Sequence, residues 1–122
     1  MTMKKRLNKT QLRALFASIQ HWKRIVRGKE SSEGTENCAL CQEFFDSNCK
    51  GCPVQEKTGQ TSCFDTPYIK FFTRTEPEDG GIGHWARTPK AVRAAEKELK
   101  FLKGIWKERA GMKRREYAAK TK

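Results

Sequence analysis

The sequence is short of apolar material. Only 36% of its 122 residues are hydrophobic, against about 45–50% in an average soluble domain. No run approaches the roughly 20 apolar residues of a membrane span, so no membrane partner is expected. The first residues, Met1 to Arg6, are basic but lead into no apolar stretch, and no secretory leader is expected. Histidine is confined to His21 and His84. That scarcity excludes finger-type Cys2His2 spacing and leaves no Ser-His-Asp arrangement to argue for. The His-x-Glu and Pro-Cys-x-x-Cys signature of nucleic-acid deaminases is also missing. Gly80-Gly81-Ile82-Gly83 lacks the Lys-Ser/Thr ending of a phosphate loop and reads as a mobile loop. There is no internal repeat and no low-complexity tract. One small domain, residues 1–122, is the expectation, with too little core for a large enzyme. A chain this polar needs a staple, and its five cysteines are the candidates.

Charge is abundant and unevenly placed. Residues 1–30 carry a net of +8, residues 31–86 a net of −5 and residues 87–122 a net of +9, which gives +12 overall. All five cysteines lie in the acidic centre. Basic arms of this size favour negatively charged partners, nucleic acid above all. A solvated helix face is the plainer reading of the same charge.

Both arms have helical periodicity. Leu12, Leu15, Phe16, Ile19, Trp22 and Val26 share one face of a helix expected over 9–27, with Asn8 or Thr10 as cap and Gly28 as stop. Thr88-Pro89 opens a second helix, 89–108, in which Val92, Ala95, Leu99, Leu102 and Trp106 repeat at steps of three and four. A short helix at 66–73 follows the same cap-plus-proline signal and offers Tyr68, Ile69, Phe71 and Phe72 to the core. A helical turn near 39–45 would face Leu40, Phe44 and Phe45 inward. The basic tail, 111–122, is expected to fray.

The cysteines form two C-x2-C pairs, Cys38/Cys41 and Cys49/Cys52, with Cys63 ten residues further on. Two residues between thiolates let one tight turn present both sulfurs to a tetrahedral metal. Gly51 suits such a turn. The expected site is a structural zinc on Cys38, Cys41, Cys49 and Cys52, with Cys63 as the alternative fourth ligand. An iron–sulfur cluster is the alternative cofactor, although the compact ferredoxin run is missing. Disulfides fit an odd cysteine count poorly. The two pairs are too close together to hold the His and Asn of an HNH-type nuclease. His21 and His84 read as packing or loop residues. Trp22 and Trp106 fall on apolar faces and read as core, which leaves Trp85 as the aromatic for an exposed contact.

The segment Cys38 to Tyr68, with Cys-x2-Cys, Cys-x-Gly-Cys-Pro-Val, Thr-Gly and Thr-Pro-Tyr, resembles a group of small cysteine-rich bacteriophage proteins. That resemblance covers about a quarter of the chain. It implies a metal-stapled protein acting in the bacterial cytoplasm, and it names no catalytic residue.

The fold expected is mostly α: two long basic amphipathic helices flanking a cysteine-rich zinc knuckle at 38–63, with little β beyond a short hairpin in the knuckle. The function expected is non-enzymatic nucleic-acid binding. Arg13, Lys23, Arg24, Arg27, Arg93, Lys97, Lys100, Lys103 and Lys107 would neutralise phosphates rather than read bases. The alternatives are a protein that binds and redirects a host protein, and an iron–sulfur redox or sensing protein.

Overall fold

The computed structural model describes residues 6–32, 38–44, 50–59, 67–73, 75 and 83–120. Helix α1 spans Lys9–Val26. Asn8 caps it by accepting from the Gln11 amide at 2.8 Å, while the Gln11 side chain accepts from the Asn8 amide at 2.9 Å. This reciprocal pair satisfies two of the donors that a helix start leaves open. The helix ends at Gly28, whose φ of 72° is left-handed. Its core stripe is turned slightly from the expected one. Leu12, Leu15, Ile19, Trp22 and Ile25 are buried, whereas Phe16 and Val26 are only partly so.

Helix α5, Pro89–Arg109, starts where Thr88 Oγ1 accepts from the Ala91 amide at 3.1 Å. It buries Ala91, Ala94, Ala95, Leu102, Ile105 and Trp106. The alanines let neighbouring helices approach closely on both sides. The Leu7 amide donates to the Arg109 carbonyl at 3.0 Å, so the start of α1 meets the end of α5 and the two run antiparallel. Each fully buried Leu, Ile or Phe here contributes about 1.5–3 kcal/mol from apolar burial.

Helix α2 (Ala39–Phe44) packs on α1, and α3 (Pro53–Thr58) and α4 (Pro67–Thr73) pack on α5. Gln11 also ties α1 to the α3 segment. Its Nε2 donates to the Gly51 carbonyl at 2.8 Å and to Glu56 Oε1 at 3.1 Å. Arg109 Nη1 reaches the same Glu56 oxygen at 2.7 Å. From α4, Phe71 is fully buried and meets Trp22 edge-on at 5.1 Å. Phe72, expected in the core, is instead 44% exposed. A seven-residue helix on one side of α5 has room for a single inward face.

Three elements differ from expectation. Residues 53–58, for which no helix was expected within the 38–63 knuckle, form α3, with Pro53 in the first turn and Gly59 closing it at φ 76°. The tail expected to fray contains α6, Arg114–Lys120. It is anchored by Tyr117, whose ring lies 5.0 Å from Phe16 and 5.3 Å from Trp106. Trp106 Nε1 also donates to the Met112 carbonyl at 2.8 Å. The β pairing among the described residues is a single antiparallel bridge, Ser32 to His84. It lies outside the cysteine-rich segment, where a hairpin was expected.

Candidate functional site

Helix α2 places Cys38 and Cys41 one turn apart, with the Cys41 amide donating to Cys38 Sγ at 3.5 Å. The Cys38 thiol is pulled down to about 6, first by its hydrogen bond with Cys41, against the opposing effect of burial. The amides of Cys41 and Leu40 and the nearby Ser18 hydroxyl push the same way. Cys38 is therefore thiolate at neutral pH, the form that binds metals.

Opposite this pair stands a residue that the sequence reading passed over. Glu98 of α5 is 5% exposed. Burial and then the Cys38 thiolate push its carboxyl up to about 8, while the Tyr68 backbone amide, hydrogen-bonded to it, pulls down. Its Oε1 has no hydrogen-bond partner among the described residues. The Cys38 thiol and the Glu98 carboxyl thus bring two ionisable groups close enough to act on each other among largely apolar helix faces. The signal in the sequence was positional. Glu98 lies four residues after Ala94 and four before Leu102, on the core stripe of its helix.

Of the expected zinc ligands, the described residues bring Cys38 and Cys41 together. Cys52 is buried at the start of α3, beside the Gly51 that Gln11 contacts. The neighbouring Gly51 lies against the Phe44 ring of α2, 3.5 Å from where a Cβ would stand. Cys49 and Cys63 lie outside the described residues. Among the described residues no three His, Cys, Asp or Glu side chains converge to hold a metal ion. Cys38, Cys41 and Cys52 are not disulfide-bonded.

Both histidines are structural. His21 is buried, with Nδ1 2.7 Å from Glu30. His84 is buried, bridged to Ser32, 2.7 Å from Thr75 Oγ1 and stacked on Phe72 at 4.6 Å. Trp85, expected as an exposed contact, is half-buried and has the Arg87 guanidinium 4.3 Å from its ring centre.

A second feature lies where α1, α5 and α6 meet. An open groove of about 910 Å³ is lined by Lys23, Lys103, Lys107, Lys113, Arg114 and Arg115, with Glu116 the acidic residue of the lining. None of these six cations is ion-paired among the described residues. Lys23 is held below the usual lysine range, first by partial burial and then by Arg114, Lys103 and Arg27. Like charges crowd there, and among the described residues none of the six cations is ion-paired. Gly111, at φ 76°, turns the chain from α5 into α6, and an added Cβ there would meet the Arg6 guanidinium at 3.2 Å.

The nine predicted phosphate contacts therefore divide. Lys23, Lys103 and Lys107 line the groove, and Arg27 adds to its field. Arg24 is paired with Glu30, and Arg13 lies 3.7 Å from Glu43. Arg93, Lys97 and Lys100 are exposed along α5, outside the groove lining. Lys113, Arg114 and Arg115 were missed because a fraying tail was expected. Tyr117 was the available signal, an aromatic residue in a polar segment that only packing explains.

Comparison with known protein families, with characterised proteins and with solved structures gives no match. Function must therefore be argued from the residues themselves. No described helix is long and apolar enough to cross a membrane.

The buried centre gives a pH signature in reduced, chelator-treated protein. The folded state keeps the Glu98 proton up to about pH 8, whereas the usual carboxyl releases it near 4.5. Stability should then fall as pH rises through that window, by an amount on the order of a few kcal/mol. The Cys38 thiol, at about 6 against a usual 9.0, acts oppositely, adding stability as pH rises from 6 to 9. Glu98→Gln keeps the volume and an acceptor for the Tyr68 amide. Urea unfolding of this variant from acid to mildly alkaline pH should lose the falling limb and keep the rising one. A profile unchanged from wild type would contradict this account of Glu98.

Proposed function

We propose that this chain is a small nucleic-acid-binding protein, without enzymatic activity, that binds the phosphate backbone in the groove between α1, α5 and α6. The observation that carries this reading is the crowding around Lys23 of cations from three elements that form no ion pair among the described residues. Holding like charges this close destabilises the free protein. A polyanion removes that cost and releases its own counterions on binding. The contacts are ammonium and guanidinium groups, which position a backbone without reading its sequence.

Zinc on the cysteine-rich segment is the second part of the proposal. A thiolate already formed at Cys38, with its Cys41 partner one turn away, suits metal capture because bound cysteine must be deprotonated. The remaining sulfurs would come from Cys49 and Cys52, with Cys63 as the alternative fourth ligand. Metal would then lock α2 and the segment after it onto α1.

Each part has its own test. In a salt titration, affinity for a mixed-sequence oligonucleotide should fall by about tenfold or more between roughly 50 and 200 mM salt. The triple variant Lys23→Gln, Lys103→Gln, Arg114→Gln should reduce the slope of log K against log salt by about 2. Affinity that stays flat with salt would contradict the reading. For the metal, elemental analysis of anaerobically purified protein should give one zinc and no visible absorbance. Chelation should then lower the melting temperature. Brown protein containing iron would replace zinc with a cluster, and metal-free protein with an unchanged melting temperature would remove the metal altogether.

A further inference from the structure

The groove joins cations to an aromatic ring. Lys23 from α1, Lys103 and Lys107 from α5, and Lys113 to Arg115 from the turn and α6 line it, with Glu116 among them. The partly exposed ring of Phe16 lines it too, with Trp106 at 5.9 Å and Tyr117 at 5.0 Å. Phe16 is the aromatic of the α1 stripe that is only partly buried and lines this open surface. Trp106 is buried and bonded through its indole, so it braces Phe16 rather than reaching solvent.

We infer that the groove takes a single-stranded segment of nucleic acid, with phosphates on the cationic rim and a base laid on Phe16. This rests on the nucleic-acid reading above and makes it more specific. A duplex presents a stiff cylinder with its bases already stacked, and proteins reach them by pushing a helix or ribbon into a groove about 12 Å wide. Here the concavity is on the protein, and an aromatic ring lines it together with the cations. A duplex keeps its bases stacked inside and offers none to Phe16. A single strand can turn its bases toward the ring, which is the combination of basic channel and aromatic platform that single strands use.

The test is fluorescence anisotropy on the full-length protein with three probes of equal length, about twelve residues. They are oligothymidylate, a mixed-sequence duplex and an abasic sugar-phosphate strand. Oligothymidylate should bind at least about tenfold more tightly than either of the others at one fixed salt concentration, since each stacked base is worth about 1–3 kcal/mol. Phe16→Leu keeps apolar volume and removes the ring. It should bring oligothymidylate down to the abasic level while leaving the salt dependence unchanged. Its melting temperature, taken in parallel, shows whether the fold is intact, and Phe16→Tyr should restore the preference. Equal or tighter binding of the duplex would overturn the single-strand inference and leave the nucleic-acid reading standing. Equal binding of the abasic and thymidine strands would overturn the role of Phe16. Failure to bind any probe would overturn both readings.

Discussion

The antiparallel packing of α1 against α5 governs the rest of this molecule. Each helix must bury its apolar stripe, and each belongs to a strongly basic arm of the sequence. Packing the stripes together therefore brings two positive surfaces side by side. The acidic centre compensates at one end of the pair, where Glu56 engages Arg109 and Gln11. Around Lys23 and Lys103 the described residues supply no ion pair, and α6 adds Arg114 and Arg115 to the same place. The groove's field follows from a packing requirement and from where the acids fall in the chain.

Between α1, α2 and α5 a different constraint operates. The Glu98 carboxyl occupies space that Leu or Phe could fill at lower cost. Glu98 and the Cys38 thiolate repel each other, so the pair holds one negative charge comfortably and two with difficulty. Among the described residues Oε1 of Glu98 is left without a hydrogen-bond partner, which adds to that cost.

The sequence disclosed the two long helices well, because capping and periodicity act locally. Asn8, Gly28, Thr88 and Pro89 stand where the chain starts and stops its turns. Local signals were less informative where tertiary contacts decide. Arg114–Lys120 has no long apolar stripe, and tertiary contacts such as those of Tyr117 with Phe16 and Trp106 hold it in place. Pro53 after Cys52 sits in the first turn of α3, a short helix that the local sequence did not announce. Glu98 was hidden by its type, since a charged residue on a core stripe is read as solvated unless its neighbours are known. The basic residues were identified correctly as cations. Which of them converge depended on α6, and so Lys113, Arg114 and Arg115 entered only with the fold.

The central claim is that the uncompensated cations of the α1–α5–α6 groove are the binding surface, rather than the exposed row of Arg93, Lys97 and Lys100 on α5. Titrating isotopically labelled protein with a short oligonucleotide and following backbone amide shifts distinguishes the two. The account predicts that the largest shifts fall on Lys23, Lys103 and the residues from Lys113 to Arg115. Shifts concentrated on Arg93, Lys97 and Lys100, with the groove unmoved, would contradict it.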